Sequence, residues 1–316
     1  MFTELKALRR QLDQCGTLPS KWEERRPIFM ELDRLLGEPC SENNPELLRF
    51  YTRMAEAALD EIREYPADGA PRLWKFYSSG IIFRDAKGRT IGVDVNDGVC
   101  ESDSRRNLLV ISDALADEIA DTVDIMFYTH PHQDHIGLKV AAALERRRKP
   151  LVIPKDGIGG YLLGSNAIPS EEFYADYDSI YHGWQRMAAA DDSPNAAFLF
   201  QVAPDMTLFL RGDIFMAEDF MPILEKMAEE NRKVSIAAIS HFFQSGRPPV
   251  DILKERYNCG FIPIHEWEFS HRPLGKAGAA TQNYARLYEV YGPLMPGYRV
   301  APLAWGESID MKVLCP

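Results

Sequence analysis

Residues 123–138 read Val-Asp-Ile-Met-Phe-Tyr-Thr-His-Pro-His-Gln-Asp-His-Ile-Gly-Leu. The apolar run at its start (Val123, Ile125, Met126, Phe127) predicts a buried strand. Pro131 and Gly137 keep an ordinary helix out of the segment after that strand. Three of the chain's seven histidines, His130, His132 and His135, therefore stand with Asp134 on a loop at a strand end. His130 and His132 lie two apart and can reach one ion together from an extended segment. Asp134 and His135 come next and can serve a second. Neutral imidazole and carboxylate are ligands that zinc prefers and that manganese and iron also accept.

A two-ion site needs more ligands than one loop carries, and a sheet supplies them where other strands end. Elsewhere in the chain, four more apolar runs end on such groups. Asp94 closes Thr90-Ile-Gly-Val-Asp94, and Asp213 closes Met206-Thr-Leu-Phe-Leu-Arg-Gly-Asp213. His241 closes Val234-Ser-Ile-Ala-Ala-Ile-Ser-His241, and His265 closes Gly260-Phe-Ile-Pro-Ile-His265. Gly212 permits close backbone approach just before Asp213.

Around these runs, strand-like and helix-like stretches alternate. Strands are expected at 73–83, 90–95, 123–129, 151–154, 195–202, 206–210, 234–239 and 260–264, with two more in the tail at 298–303 and 309–314. Helices are expected at 105–120, 138–149, 219–231 and 281–291. Residues 157–169 read as a glycine-rich loop, and 170–190 fit either a helix or a strand. Such alternation predicts mixed sheets covered by helices, an α/β layered fold. The start of the chain differs. Leu5, Leu8 and Leu12, then Ile28, Leu32, Leu35 and Leu36, then Leu47, Leu48, Tyr51, Met54 and Ala58 recur at helical spacing, with breaks at 16–19 and 37–45. Residues 1–70 thus read as an N-terminal helical extension, and 71–316 as the domain that carries the site. Such an extension can cap the core, pair two copies into a homo-oligomer or roof a site, and the sequence leaves all three open.

Composition bounds the function. Of 316 residues, 46% are hydrophobic and 26% charged, which suits a globular chain with a sizeable core. The formal net charge of −11 argues against nucleic acid as the partner. The one dense basic run, Arg146-Arg147-Arg148-Lys149, ends an expected helix, where positive charge complements the helix dipole. No apolar run approaches the roughly 20 residues of a membrane span, so no membrane partner is expected. The first residues lack the apolar centre of a signal peptide. Five dispersed cysteines with no paired spacing argue against a disulfide framework and for a reducing, cytoplasmic setting.

His130-Pro-His132-Gln-Asp134-His135, an HxHxDH pattern after a strand and before a helix, resembles the signature of the metallo-β-lactamase-fold hydrolases. The resemblance covers about residues 73–314 and implies a four-layer αββα sandwich with two divalent ions at one edge. His130 and His132 would hold the first ion, and Asp134, His135 and His265 the second, with Asp213 bridging them. Asp94 resembles the early aspartate that supports the metal loop, and His241 is left as a supporting or substrate-facing residue. The tail 302–308 resembles the closing strand of the branch that contains sugar-phosphate lactonases. The family's middle histidine has no clear counterpart. Only His182 lies between His135 and Asp213, and the position before the hairpin carries Asp192 instead. Imidazole is the more usual ligand, which favours His182.

The expected function is hydrolysis of a small ester, lactone, amide or phosphodiester, with Asp134 moving the proton. The other reading is a metal-binding sensor, a redox protein or a partly degenerate member that acts through partner binding. The unsettled middle histidine keeps that reading in play.

Overall fold

The structure is a computed structural model that describes residues 1–37, 44–98, 100–101, 106–107, 110–154, 167–169, 181–187, 194–214, 217–240, 247–267, 269, 282–295 and 297–315. Three helices lead: α1 (Phe2–Cys15), α2 (Trp22–Leu36) and α3 (Pro45–Glu64). Each buries the apolar stripe expected of it, for example Leu5, Leu8 and Leu12 on α1. Asn44 caps α3 by accepting from Glu46 N, and Pro45 occupies the first turn, where its missing N–H costs nothing.

The next elements are β1 (Arg72–Lys75), β2 (Ile81–Arg84) and β3 (Thr90–Val93), then a small hairpin of β4 (Cys100–Glu101) and β5 (Arg106–Asn107). After α4 (Asp113–Thr122) come β6 (Ile125–Phe127), α5 (Leu138–Arg146), β7 (Leu151–Ile153) and β8 (Ala167–Pro169). The second half runs β9 (Tyr181–Met187), β10 (Pro194–Ala203), β11 (Met206–Leu210), α6 (Ala217–Glu229), β12 (Ile236–Ile239), α7 (Pro249–Tyr257), β13 (Gly260–Pro263), α8 (Tyr284–Tyr291) and β14 (Ser308–Asp310).

Two sheets result. One has seven strands in the order β14-β1-β2-β3-β6-β7-β8, and the other five in the order β13-β12-β11-β10-β9. From β3 through β8 the pairs are parallel, as are β11-β12-β13. The strands are apolar on both faces, and alternate residues go to two different cores. Phe198, Phe200, Leu208, Leu210, Ile81, Phe83 and Phe127 fill the space between the sheets. Ala197, Leu199, Phe209, Ile82 and Met126 face outward under the helices. The inter-sheet core is built of crossed aromatic pairs, such as Phe83 with Phe200 at 5.1 Å and Phe127 with Phe198 at 5.4 Å between ring centroids. α1–α3 share one continuous apolar core with α4, α5 and α8. No helix among the described residues is long and apolar enough to cross a membrane.

Several elements differ from the sequence reading. The helix expected over 105–120 begins only at Asp113, because Ser112 caps it by accepting from Leu115 N at 3.1 Å, and Arg106–Asn107 pair as a strand instead. The glycine-rich loop expected over 157–169 gives way to strand β8 at its end, where Ile168 pairs with Val152. Helix α7 was not expected at all. Its start, Pro248-Pro249, reads as a breaker, yet proline suits the first helical turn. In the tail only Ser308–Asp310 is strand, Met311–Leu314 is a 3-10 turn, and the 298–303 stretch contributes a single bridge from Val300 to Phe261. Within the ambiguous stretch, 181–187 is strand β9, paired antiparallel with β10.

Candidate metal centre

Four parallel strand ends meet at one edge of the two sheets: β3, β6, β11 and β13 end just before Asp94, the 128–137 loop, Asp213 and His265. This is where an open α/β sheet gathers loops from distant parts of a chain. Asp94 turns the chain sharply out of β3, at φ 50°, and its backbone N–H bonds Phe127 O at 2.9 Å. Its carboxylate then accepts from Thr129 N at 2.7 Å, from Thr129 Oγ1 at 2.7 Å and from His135 Nδ1 at 2.8 Å. A carboxylate only accepts, so Nδ1 of His135 carries a proton and its Nε2 faces the cluster. Asn96 donates to Asp134 O at 2.6 Å, and Ser79 Oγ lies 3.2 Å from His135 Nδ1. The loop is thus fastened from β3 and from the turn before β2.

Asp213 arrives from the other sheet. Gly212 precedes it at φ +57°, and a Cβ there would meet Asn195 Oδ1 at 2.3 Å and Thr129 Cβ at 2.9 Å. Only glycine tolerates both the backbone angle and the space. His265 is itself left-handed, at φ 77°, and its backbone N–H bonds Ser78 O at 3.1 Å. Its Nδ1 lies 3.1 Å from the side-chain amide of Gln282, whose other end receives Ser240 Oγ at 2.5 Å. Its Nε2 therefore points inward too.

The inward atoms form two groups that share Asp213. One oxygen or nitrogen from each of Asp134, His135, Asp213 and His265 lies within 4.8 Å of the others, and all four residues are buried. His130, His132 and Asp213 form the second group under the same limit. His130 Nε2 stands 3.7 Å from Asp213 Oδ2, and His135 Nε2 stands 3.4 Å from Asp213 Oδ1. His265 Nε2 lies 3.1 Å from Asp134 Oδ2.

The charge state fits a cation. Burial alone would push the Asp134 and Asp213 carboxyls up, but His135 and His265 outweigh it and hold both below the usual carboxylate range. Burial lowers His130, and neighbouring His135 adds to that. Burial opposes charge on His135, yet Asp213, Asp134 and Asp94 raise it well above the ordinary histidine value. The Nε2 edge of His135 thus faces Asp134 and Asp213, where a metal cation would serve both carboxylates. Asp213 Oδ1 has no hydrogen-bond partner among the described residues, and a buried carboxylate oxygen in that condition is costly unless a cation meets it. The donor set of imidazoles and carboxylates suits zinc, manganese or iron. These residues fit divalent metal.

Each residue proposed from the sequence can now be placed. His130, His132, Asp134, His135, Asp213 and His265 come together, and Asp94 stands behind His135. His182 lies on β9 opposite Leu199. His241 and Asp192 fall outside the described residues. The sequence reading missed Thr129, Asn96, Ser79, Asn195 and Gln282. Thr129 and Asn96 adjoin named residues and were within reach of a closer reading. Ser79 and Gln282 carry no local signal.

No family model and no curated protein matches this sequence. Solved structures do. A possible metal-dependent hydrolase from Veillonella parvula is similar at 12% identity, over 76% of this chain and 98% of its own, with a TM-score of 0.51. An isothiocyanate hydrolase from Delia radicum gut bacteria is similar at 13% identity over 75% of this chain and 98% of its own, with a TM-score of 0.48. The metallo-β-lactamase SMB-1 is similar at 12% identity over 61% of this chain and 86% of its own, with a TM-score of 0.27. Two packed sheets under helices, with the likeness to the first of these, give the chain the αββα metallo-β-lactamase fold.

Proposed function

We propose that this chain is a metal-dependent hydrolase that works with two divalent ions, zinc by preference, on a small ester, lactone, amide or phosphodiester. The observation that carries it is the pair of ligand groups, one of them wholly buried, joined through Asp213. His130, His132 and Asp213 would hold one ion, and Asp134, His135, Asp213 and His265 would hold the other. When bound, such ions lower the pKa of water to about 7 and polarise a carbonyl or phosphoryl oxygen.

The chain's own groups do the rest. Asp134 is kept ionised by His135 and His265 despite its burial, so it can take a proton from the attacking water. As the bond from carbon or phosphorus to the leaving atom breaks, Asp134 returns that proton to the leaving atom. Asp94 and Gln282 fix the imidazoles of His135 and His265 from behind, so no reorientation is needed during the reaction. The dispersed cysteines, of which Cys15, Cys259 and Cys315 are free thiols, fit a reducing compartment, and we place the protein in the cytoplasm.

Metal content per chain and turnover on a panel of esters, lactones, amides and phosphodiesters test this together. Two ions and hydrolysis of one class are expected. Asp134→Asn should lower turnover by about 10²–10⁴-fold while the chain stays folded. One ion or none, with no turnover, would overturn the hydrolase and leave a metal-binding sensor or partner-binding protein.

A further inference from the structure

The last histidine of the cluster is held from an unexpected direction. His265 and Trp267 both lie in the left-handed region, at φ 77° and 54°. Non-glycine residues are strained there, and they persist only where their surroundings over-determine them. The segment after β13 needs a brace, and the brace comes from the N-terminal helices.

Asp33, near the end of α2, makes three bonds across the molecule. Its Oδ1 accepts from the Trp267 indole N–H at 2.6 Å and from Tyr284 N at 3.0 Å, and its Oδ2 accepts from Ala285 N at 2.7 Å. Tyr284 and Ala285 begin α8. The helix already has its own cap, since Asn283 accepts from Arg286 N at 2.8 Å. Asp33 takes the two donors that this cap leaves open, so one carboxylate fixes both the start of α8 and the ring of Trp267. Between these points lies the support of His265. Trp267 N donates to Gln282 O at 2.9 Å, and the Gln282 side chain meets His265 Nδ1. Aromatic contacts seat the same joint, with the Phe29 and Tyr284 centroids 4.2 Å apart and those of Trp22 and Tyr288 also 4.2 Å apart.

We infer that Asp33 is a positioning residue for His265, by which the N-terminal helices set the affinity of the ion position formed by Asp134, His135, Asp213 and His265. This rests on the two-ion reading of the centre. The loop that carries His130 and His132 is fastened instead from the β3 side, by Asp94 and Asn96.

The test uses the full chain stripped of metal and titrated with Mn²⁺ by calorimetry, well below the unfolding temperature. In Asp33→Asn, one of two sites should weaken roughly 10- to 100-fold and the other should be unchanged, the range seen when groups behind a metal ligand are altered. Glu307→Gln is the control. It disturbs the buried Arg25–Glu307 pair that also ties α2 to the tail, without touching Asp33, Trp267 or Gln282. That variant should be less stable yet bind both ions normally. An Asp33→Asn chain with two unchanged sites overturns the positioning role alone. Equal weakening in Glu307→Gln also overturns it, because general loosening would then explain the effect. A native chain that binds fewer than two ions overturns the two-ion reading and this inference with it.

Discussion

The two sides of the candidate metal centre are held by different means. The 130–135 loop is fastened by near neighbours: Asp94 lies 41 residues from His135, and Asn96 lies 38 from Asp134. These partners lie on the loops that follow β3 and β6, strands adjacent in the same sheet. His265 depends on Gln282 and, through Trp267, on Asp33, which lies 234 residues from Trp267. One side is a property of a local βαβ unit. The other exists only once the N-terminal helices, β13 and α8 have all assembled. A centre built this way couples part of its ligand geometry to the docking of the whole molecule.

The contrast is tested most severely at Asp94. Asp94→Ala removes the acceptor for Thr129 N, Thr129 Oγ1 and His135 Nδ1, and places alanine at φ 50°. Bonds to a charged acceptor contribute about 1.5–3 kcal/mol each, so a loss of roughly 5 kcal/mol is expected, together with loss of the metal. The urea midpoint and the metal content check it, and a variant that keeps both ions would sink the local account of this side. On the other side, Glu307→Ala leaves the buried Arg25 guanidinium uncompensated, at a cost of about 3–5 kcal/mol. Here the urea midpoint should drop while ions remain bound to the chain that is still folded.

Gly212→Ala strikes the junction, because Asp213 serves both sides. The new Cβ would press on Asn195 Oδ1 and Thr129 Cβ at a left-handed angle, so roughly 3 kcal/mol of destabilisation is expected. Bound metal should fall below the native value, and an unchanged stoichiometry would show that Asp213 does not join the two groups.

The smallest effect is a pH dependence. Asp97 accepts from Lys139 N at 2.6 Å and from Val140 N at 3.2 Å at the start of α5, as Asp33 does at the start of α8. Burial outweighs these bonds and raises both carboxyls to about 6. Both folded values lie above the unfolded one. The stability each contributes is therefore complete below the ordinary carboxylate pKa and is lost as pH rises through about 6. Relative to Asp97→Asn, which cannot titrate there, the native chain should lose about 1 kcal/mol between pH 5 and pH 7.5. Parallel stability curves for the two proteins would refute the raised Asp97.

Much of the fold was legible because its signals are local. Apolar runs buried on both faces marked β3, β6, β11, β12 and β13, although β3, β6 and β13 stop at Val93, Phe127 and Pro263, short of their expected ends. Legibility failed where local signals conflict with tertiary context. Pro248-Pro249 reads as a stop but starts α7. The tail at 298–303 looks like a strand, yet among the described residues it makes one bridge, Val300 to Phe261, through the bonds from Phe261 N to Arg299 O and from Ala301 N to Phe261 O.

The order of the amino acids was enough to point to the chemistry of the candidate site: which residues could hold a metal, and that four of them share one short loop. Covalent spacing guarantees that proximity, and few side chains can ligate zinc, so the pattern announces itself. The groups that stand behind those residues emerged only from the packing of the folded chain. Asp33, Ser79 and Gln282 are ordinary hydrogen-bonding groups that occur throughout any chain. They acquire a role through burial and distance alone, once folding has brought their segments together; Asp33 meets Trp267, Tyr284 and Ala285 at 2.6, 3.0 and 2.7 Å from 234, 251 and 252 residues away.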